Sequence, residues 1–166
     1  MPTMSKISPC LWFNGEAEAA AKHYTKIFPN SRILSVDRSP ADTPSGPEGM
    51  VITVLFELDG QTFIGLNGGS DFTFNEAISF SIDCDGQAEV DRYWEALIAG
   101  GGEPSVCGWL KDRFGVSWQV VPQRLPEMLQ SPDRDAARRA MEAMLKMRKI
   151  DVQELEEAFS GVPAGR

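Results

Sequence analysis

The chain has 166 residues, with 24 acidic and 16 basic side chains, a formal net charge of -8, one histidine and three cysteines. Hydrophobic residues make up 42% of it, which is enough for a core in one domain or in two small fused modules. The acidic balance argues against binding to nucleic acid or to an anionic membrane, since both need a basic face. One histidine and three widely spaced cysteines leave little material for a metal cluster or a disulfide framework.

The N-terminal segment and the hydropathy pattern predict where the protein works. Residues Met1–Lys6 are polar and lack the apolar stretch of a secretory signal. No stretch approaches the roughly 18 consecutive apolar residues that a membrane span needs. Because Cys10, Cys84 and Cys107 are also expected to be reduced, these features predict a cytoplasmic protein without membrane contact.

The first part of the chain predicts a strand, a helix and three further strands. Apolar runs bounded by turn residues indicate strands at Ile7–Phe13, Arg32–Arg38, Met50–Leu58 and Gln61–Asn67. Between the first two strands, apolar residues from Ala17 to Phe28 recur with helical spacing, and Pro29 ends the helix. The proline-rich residues 39–49 predict an exposed loop, which is either a lid over a site or a simple surface excursion.

The same order of elements then returns. Strands are predicted at Ala77–Cys84, Pro104–Val106, Trp109–Asp112 and Val116–Val121. A helix capped by Asp85 separates the first two of them, with Val90 and Trp94 in its apolar stripe, and Gly100–Gly102 ends it. The repeat predicts an α+β fold in which two paired βαβββ modules form a curved mixed sheet with a concave cleft.

The C-terminal third predicts helices. Ser131–Asp133 is typical of a helix start, with Ser131 as the N-cap, and Asp151 opens a further helix as a variant of the capping box. The first of these helices has an apolar stripe of Ala137, Met141, Met144 and Leu145. We therefore divide a single structural domain into a first module (1–70), a second module (71–123) and a C-terminal helical appendage (124–166).

Several stretches are similar to one known group of proteins. They are Pro9–Phe13, Ala20–Tyr24, Leu66–Gly69, Cys107–Pro122, Ser131–Asp133 and Ala143–Met147, of which the fourth is the most specific. They resemble the PhnB-like branch of the vicinal oxygen chelate superfamily, which includes glyoxalase I, extradiol dioxygenases and the fosfomycin- and bleomycin-resistance proteins. Members of this branch carry the label 3-demethylubiquinone-9 3-methyltransferase. The first strand and helix of this chain lack the Gly-rich turn that cradles S-adenosylmethionine, which argues against the methyltransferase activity in that label.

The resemblance implies a position for one divalent metal ion. Metal-using members hold that ion with His, Glu or similar side chains from the first, fourth, fifth and eighth strands. The corresponding positions here are Ser8 or Pro9, Gly65, Ser79 and Gln119. None of them is a histidine or a carboxylate, whereas a transition-metal site needs about three or four good ligands. His23 lies on the first predicted helix, outside this set, so we expect neither a metal nor another cofactor.

Inward-facing strand positions predict a surface for a small molecule. The expected ligand-binding residues are Trp12, Gly65, Asn67, Ser79, Ser81, Trp109, Lys111, Ser117 and Gln119. Small polar groups beside aromatic edges suit a small, partly apolar ligand. Gln119 would hold a carbonyl or hydroxyl group. Lys111 either offsets an anionic group or, as is more common for a charged residue at a turn, is simply solvated. No catalytic constellation is legible, so the catalytic residues stay unassigned.

Two classes of function follow from these predictions. The first is a metal-independent protein that binds a small molecule, as the resistance proteins of the superfamily do. The second is a lyase, isomerase or dioxygenase with an unusual metal site, or the methyltransferase that the family label names. A third possibility is a cleft filled by its own side chains in a protein that only dimerises. The resemblance implies a homodimer. The Met-rich helix with Met141, Met144 and Met147 either packs on the partner or docks within its own chain.

Overall fold

The computed structural model of the protein describes residues 5–162. Two compact units divide the chain between Phe74 and Asn75. Each unit contains a strand, a helix and three further strands, and each forms a four-stranded mixed sheet. The α+β class and the duplicated βαβββ order are therefore confirmed. The pairing of the two sheets around one cleft, and the predicted domain limits, stay predictions.

The first unit is a mixed sheet with one helix packed on it. Its elements are β1 (Cys10–Phe13), α1 (Ala17–Ile27), β2 (Arg32–Arg38), β3 (Val51–Leu58) and β4 (Gln61–Asn67), and the strand order is β1-β4-β3-β2. β1 runs parallel to β4, whereas the other neighbours are antiparallel. Helix α1 buries the apolar stripe that its spacing predicts, which is Ala17, Ala20, Ala21 and Tyr24.

β1 begins at Cys10 rather than at Ile7, which is 81% exposed. Proline has no N–H to donate to a sheet, so Pro9 can take part in the pairing with β4 only through its carbonyl. Its carbonyl still accepts a hydrogen bond from the Ile64 N–H at 2.9 Å. The hydrogen bonds between this segment and β4 therefore start at Pro9, one residue before β1 itself begins.

The second unit repeats this arrangement. Its sheet and first helix are β5 (Ser79–Cys84), α2 (Gln87–Ile98), β6 (Glu103–Pro104), β7 (Trp109–Lys111) and β8 (Ser117–Pro122), in the strand order β5-β8-β7-β6. Helix α2 buries Val90, Tyr93, Trp94 and Leu97. The predicted cap by Asp85 was wrong: Gly86, with a φ of 84°, is the N-cap, and the Asp85 N–H donates to Glu89 instead.

Three more helices complete the second unit: α3 (Arg124–Leu129), α4 (Arg134–Met144) and α5 (Val152–Ser160). Asp151 caps α5 as predicted, by accepting a hydrogen bond from the Glu154 N–H at 3.0 Å. The cap of α4 is Asp133 rather than Ser131, because the Asp133 carboxylate reaches the Ala136 N–H at 3.1 Å. The short helix α3 was not predicted.

The apolar stripe predicted for α4 was wrong in part. The helix buries Ala136, Ala137 and Ala140, whereas Met141 is 44% and Leu145 is 56% exposed. Alanine has the smallest side chain that still favours a helix, so an alanine face lets the neighbouring helices α3 and α5 pack closely. Met141 and Leu145 consequently lie outside the core, whereas Met144 is half-buried and packs against it.

One glutamine at the start of α2 ties the C-terminal segment to the rest of the second unit. Gln87 Nε2 donates to the Ile150 carbonyl at 3.0 Å, and Gln87 Oε1 accepts from the Val152 N–H at 2.8 Å. Nearby, Lys149 Nζ lies 2.7 Å from a carboxylate oxygen of Asp91. Because the same side chain satisfies both backbone groups, it acts as a clamp on the segment that leads into α5.

The same segment also holds the loop before β7. The Cys107 N–H donates to the Met147 carbonyl and the Gly108 N–H to the Arg148 carbonyl, both at 2.8 Å. Gly108 has a φ of 83°, and a Cβ there would lie 3.0 Å from Ile150 Cγ1. Glycine is therefore required where the two segments meet.

Within residues 5–162 no helix has the length and apolar character to cross a bilayer.

Candidate functional site

The second sheet has one buried, apolar face, and polar side chains lie together on its other face. Because successive side chains of a strand alternate between the two faces, the register places these residues together: Ser79, Ser81, Trp109, Lys111, Ser117 and Gln119. Ser117 lies beside both Ser79 and Lys111, and Gln119 lies beside both Ser81 and Trp109. We call this set the polar face. The predicted ligand-binding residues of the second unit thus share one surface.

A neutral hydrogen bond joins two strands across the polar face. Gln119 Nε2 on β8 donates to Ser79 Oγ on β5 over 2.9 Å. Both side chains are half-buried. The bond orients the Gln119 amide, because its nitrogen is directed at Ser79.

A buried aspartate fixes the hairpin that joins β7 and β8. Asp112 is 3% exposed, and its Oδ1 accepts hydrogen bonds from the Phe114 N–H (2.9 Å) and the Val116 N–H (3.0 Å). Its Oδ2 accepts from Trp118 Nε1 at 2.8 Å. A carboxylate that accepts several hydrogen bonds holds a tight turn firmly. The turn brings Lys111 and Ser117 side by side.

A shallow pocket of about 140 Å³ opens beside these two residues. The side chains that matter for its chemistry are Glu76, Glu103, Ser105, Trp109, Lys111 and Ser117. We call it the β7 pocket. Glu76, Glu103 and Ser105 were not among the predicted site residues. They lie in loops or in a two-residue strand, where no side-chain periodicity indicates a common face.

An ion pair neutralises the lysine of the β7 pocket. Lys111 Nζ lies 2.5 Å from Glu76 Oε1. The hydrogen bond from Lys111 lowers the pKa of Glu76, and the bond to Glu76 raises the pKa of Lys111, to which the charge of Glu103 adds. The prediction that Lys111 offsets an anionic ligand therefore meets a competitor: Glu76 already supplies that negative charge within the chain.

The hydroxyl group of Ser117 differs from the other polar groups of the pocket because it is buried without a hydrogen-bond partner in residues 5–162. Ser117 is 2% exposed, and its Oγ has no hydrogen-bond partner among residues 5–162. Burying a hydroxyl without a partner costs about 1–3 kcal/mol, and such groups are rare in folded proteins. A buried, unsatisfied hydroxyl in the wall of a pocket is a feature of a binding site.

Two predicted ligand-binding residues of the first sheet, Gly65 and Asn67, face helix α1 instead of the open face of the sheet. Gly65 is directed at helix α1, since a Cβ there would lie 3.2 Å from Ala17 Cβ and 3.6 Å from Phe56 Cε1. Asn67 points to the same side: its Oδ1 accepts the Ala17 N–H and its Nδ2 donates to the Val51 carbonyl, both at 2.9 Å. Asn67 is thus the helix cap that Glu16 does not provide. The predicted register of β4 is corrected by one residue, which puts Ile64 and Leu66 on the opposite face.

Trp12 lies on the face of the first sheet opposite to α1, in register with Leu66. Its Nε1 donates to the Gly69 carbonyl at 2.9 Å. Its ring meets Phe72 edge to face, with 4.9 Å between the ring centroids. Trp12 therefore anchors residues 68–72 to the sheet, a contact that the sequence pattern did not predict.

The side chains at the positions that the resemblance implies for a metal do not fit a divalent ion. Ser8 and Pro9 precede β1, and Gly65 is packed against α1. Ser79 and Gln119 are neutral and hydrogen-bonded to each other. In the part of the chain that the structure describes, no three His, Cys, Asp or Glu side chains converge to hold a metal. Transition metals need imidazole, thiolate or carboxylate ligands, and these positions supply none.

Comparison with known proteins gives the family. Residues 5–121 match the model of the 3-demethylubiquinone-9 3-methyltransferase family. The chain is 35% identical to the PhnB protein from Bacillus cereus, with 71% of this chain and 99% of that chain covered and a TM-score of 0.64. Protein PA1353 from Pseudomonas aeruginosa is 21% identical, with 72% and 98% covered and a TM-score of 0.59, and shares the fold. No curated protein matches the chain.

The family match covers both βαβββ units and ends within β8, before the C-terminal helices begin. The motifs of the sequence, the two mixed sheets and the likeness to the PhnB protein agree with one another. The chain therefore belongs to the family described as 3-demethylubiquinone-9 3-methyltransferase, the PhnB-like branch of the vicinal oxygen chelate superfamily.

Proposed function

We propose that the protein binds a small molecule on the polar face of its second sheet without using a metal ion. The observation that carries this proposal is the neutral hydrogen bond between Gln119 and Ser79, at the strand positions where metal-using relatives carry ligands. An amide and a hydroxyl group bind organic carbonyl and hydroxyl groups well and divalent metals poorly. The polar face would thus recognise organic groups through hydrogen bonds instead of through a bound metal ion.

Trp109 and Gln119 supply the recognition. They are cross-strand partners on β7 and β8, and both are half-buried. The indole offers a flat apolar surface, and the amide beside it offers a directional hydrogen bond. A ligand with an apolar ring or chain and a nearby carbonyl or hydroxyl group matches this pair. The physiological ligand is accordingly a small, partly apolar, oxygen-bearing molecule.

We also propose that the protein acts in the cytoplasm and as a homodimer. All three cysteines are free, as expected in a reducing compartment. Met147, one of the methionines predicted either to pack on the partner or to dock within its own chain, is buried in the core of its own chain. Met141 in α4 and Leu145 at its C-cap form an exposed apolar stripe that a second copy would cover. Light scattering on the full chain tests the dimer: the double variant Met141→Glu, Leu145→Glu should be monomeric, and an unchanged dimer would overturn the role of α4.

A thermal-shift screen tests the binding proposal. The full chain is screened against metabolites and antibiotics in buffer with a chelator, and each hit is repeated with Gln119→Leu and Trp109→Ala. Hits should raise the melting temperature of the natural chain and lose that effect in both variants. Gln153→Ala, an exposed change on α5, should keep it. Hits that survive both site variants, or that need an added divalent metal, would overturn the proposal.

A further inference from the structure

We infer that the β7 pocket accepts an uncharged ring that carries hydroxyl groups, a sugar-like part of the ligand, and that it disfavours anions. This inference rests on the proposed function and specifies the chemistry of its ligand. The pocket brings together two carboxylates, one ammonium group, an unsatisfied hydroxyl and an indole ring. Each of these groups limits what the pocket will bind.

The charges of the pocket exclude an anion as the preferred ligand. Glu76 and Glu103 carry two negative charges, against one positive charge on Lys111. Lys111 is already within 2.5 Å of Glu76, so its ammonium group is partly neutralised. A carboxylate or phosphate entering the pocket would displace Glu76 and would also face Glu103. Repulsion between like charges at short range would oppose that arrangement.

An ammonium group is disfavoured at Ser117 even though the net charge of the pocket is negative. Ser117, the buried hydroxyl in the wall, is the cross-strand neighbour of Lys111. A ligand ammonium group that approached Ser117 would therefore lie beside the Lys111 ammonium group. The same two residues suit a hydroxyl group well, because Lys111 can only donate a hydrogen bond whereas Ser117 can donate or accept one.

The hydrogen-bonding groups of the pocket match a hydroxylated ring. The two carboxylates accept hydrogen bonds, Lys111 donates them, and a ligand hydroxyl does both. Trp109 provides a half-buried flat surface on the same face as Lys111, against which the C–H groups of a ring can pack. A cavity of about 140 Å³ has room for part of such a ring.

The Ser117 hydroxyl is the second, independent observation that points to a ligand. It is buried and without a partner in residues 5–162, so the fold gains nothing from it. Because Ser117 Oγ is buried, a ligand hydroxyl in the pocket would supply the missing hydrogen bond after a side-chain rotation brings this atom to the pocket surface. Replacing Ser117 by alanine should consequently weaken binding without lowering the stability of the protein. A serine that served only the fold would show the reverse.

Three sugars of the same ring size and different charge test this inference: D-glucose, D-glucuronate and D-glucosamine. Each is titrated into the isotope-labelled full chain at neutral pH, and binding is followed by NMR at the Trp109 indole N–H and the Ser117 amide. Glucose should bind at least fivefold more tightly than either charged sugar. Ser117→Ala should weaken glucose binding at least fivefold and leave the melting temperature unchanged. Ser160→Ala, which removes an exposed hydroxyl on α5, should change neither the glucose affinity nor the melting temperature.

Glu103→Gln provides the matched test of charge. It keeps the hydrogen-bonding shape and removes one negative charge, so the preference for glucose over glucuronate should shrink severalfold. Tighter binding of glucuronate or glucosamine to the natural chain, no response of the pocket to glucose, or an unchanged glucose affinity in Ser117→Ala would overturn the inference. These outcomes leave the proposed function standing, because that fails only if the screen hits ignore Gln119 and Trp109 or need an added divalent metal.

Discussion

Gln119 Nε2 lies 2.9 Å from Ser79 Oγ, so a neutral hydrogen bond between side chains joins the parallel strands β5 and β8. In the superfamily that this chain resembles, the same strands carry metal ligands in the metal-using members. The resemblance implies that Gln119 and Ser79 stand at two of those positions, and their amide and hydroxyl groups orient each other. The proposed binding of organic groups on the polar face depends on that relationship.

Asp112→Ala should be among the most destabilising single changes in the second unit. The carboxylate accepts hydrogen bonds from the backbone of Phe114 and Val116 and from the Trp118 indole, and it is 3% exposed. Removing it leaves three buried donors unpaired, so the free energy of unfolding should fall by about 3 kcal/mol or more. Urea unfolding measures this. Asp112→Asn, which keeps some of the acceptors, should cost less; equal losses would contradict the account.

Asn67→Ala should destabilise the first unit rather than affect binding. Asn67 caps α1 through the Ala17 N–H and also donates to the Val51 carbonyl. Loss of a helix cap and of a second hydrogen bond should lower the free energy of unfolding by about 1–3 kcal/mol. Chemical denaturation and the thermal-shift screen separate the two effects. A stable variant with lost ligand response would restore Asn67 to the binding site.

Strand periodicity explains what the sequence predicted well and what it did not. On β5 and β8, apolar Phe80, Ile82 and Val120 alternate with polar residues, so alternation alone was enough to predict the polar face. On β4 the apolar residues Phe63, Ile64 and Leu66 fall on both faces. Alternation therefore could not predict which face Gly65 and Asn67 occupy. Their orientation depends on the packing of α1.

Residues outside regular strands were beyond prediction for a different reason. Glu76 precedes β5 and Glu103 starts the two-residue strand β6, so their meeting at Lys111 depends on how the sheet is assembled. The orphan hydroxyl of Ser117 is likewise a property of its surroundings. A sequence shows which side chains are polar, but only the fold shows which of them lack partners.

Gln87→Ala should loosen the C-terminal segment. It leaves the Ile150 carbonyl and the Val152 N–H without their partner. We expect a loss of about 1–3 kcal/mol in the free energy of unfolding and faster amide hydrogen exchange in residues 147–160. Gln153→Ala, an exposed change in the same helix, is the control and should have little effect. Unchanged exchange after Gln87→Ala would show that the clamp contributes nothing.

The buried thiol of Cys84 should make stability depend on pH in the alkaline range. Burial raises the pKa of this thiol from 9.0 to about 12, and the charge of Glu89 adds to the effect. Above about pH 9 the unfolded chain therefore releases a proton that the folded chain keeps, so the free energy of unfolding falls as the pH rises, by at most about 1.4 kcal/mol per pH unit for this one group.

Urea unfolding of the natural chain and of Cys84→Ala at pH 8, 9 and 10 measures this dependence. The variant should lose less stability between pH 8 and pH 10 than the natural chain does, even if it is less stable overall because the core has a small gap. Other groups that titrate in this range contribute equally to both proteins. Parallel losses in the two proteins would show that Cys84 does not have a raised pKa.

Metal-independent binding on the polar face is the central claim. Its most direct test is the dissociation constant of the best screen hit, measured by isothermal titration calorimetry on protein purified without chelator, and again after chelation and after addition of Zn²⁺ or Mn²⁺. The account predicts the same dissociation constant in all conditions and a loss of at least tenfold in Gln119→Leu. Stoichiometric metal in the purified protein, together with binding that disappears on chelation, would contradict it.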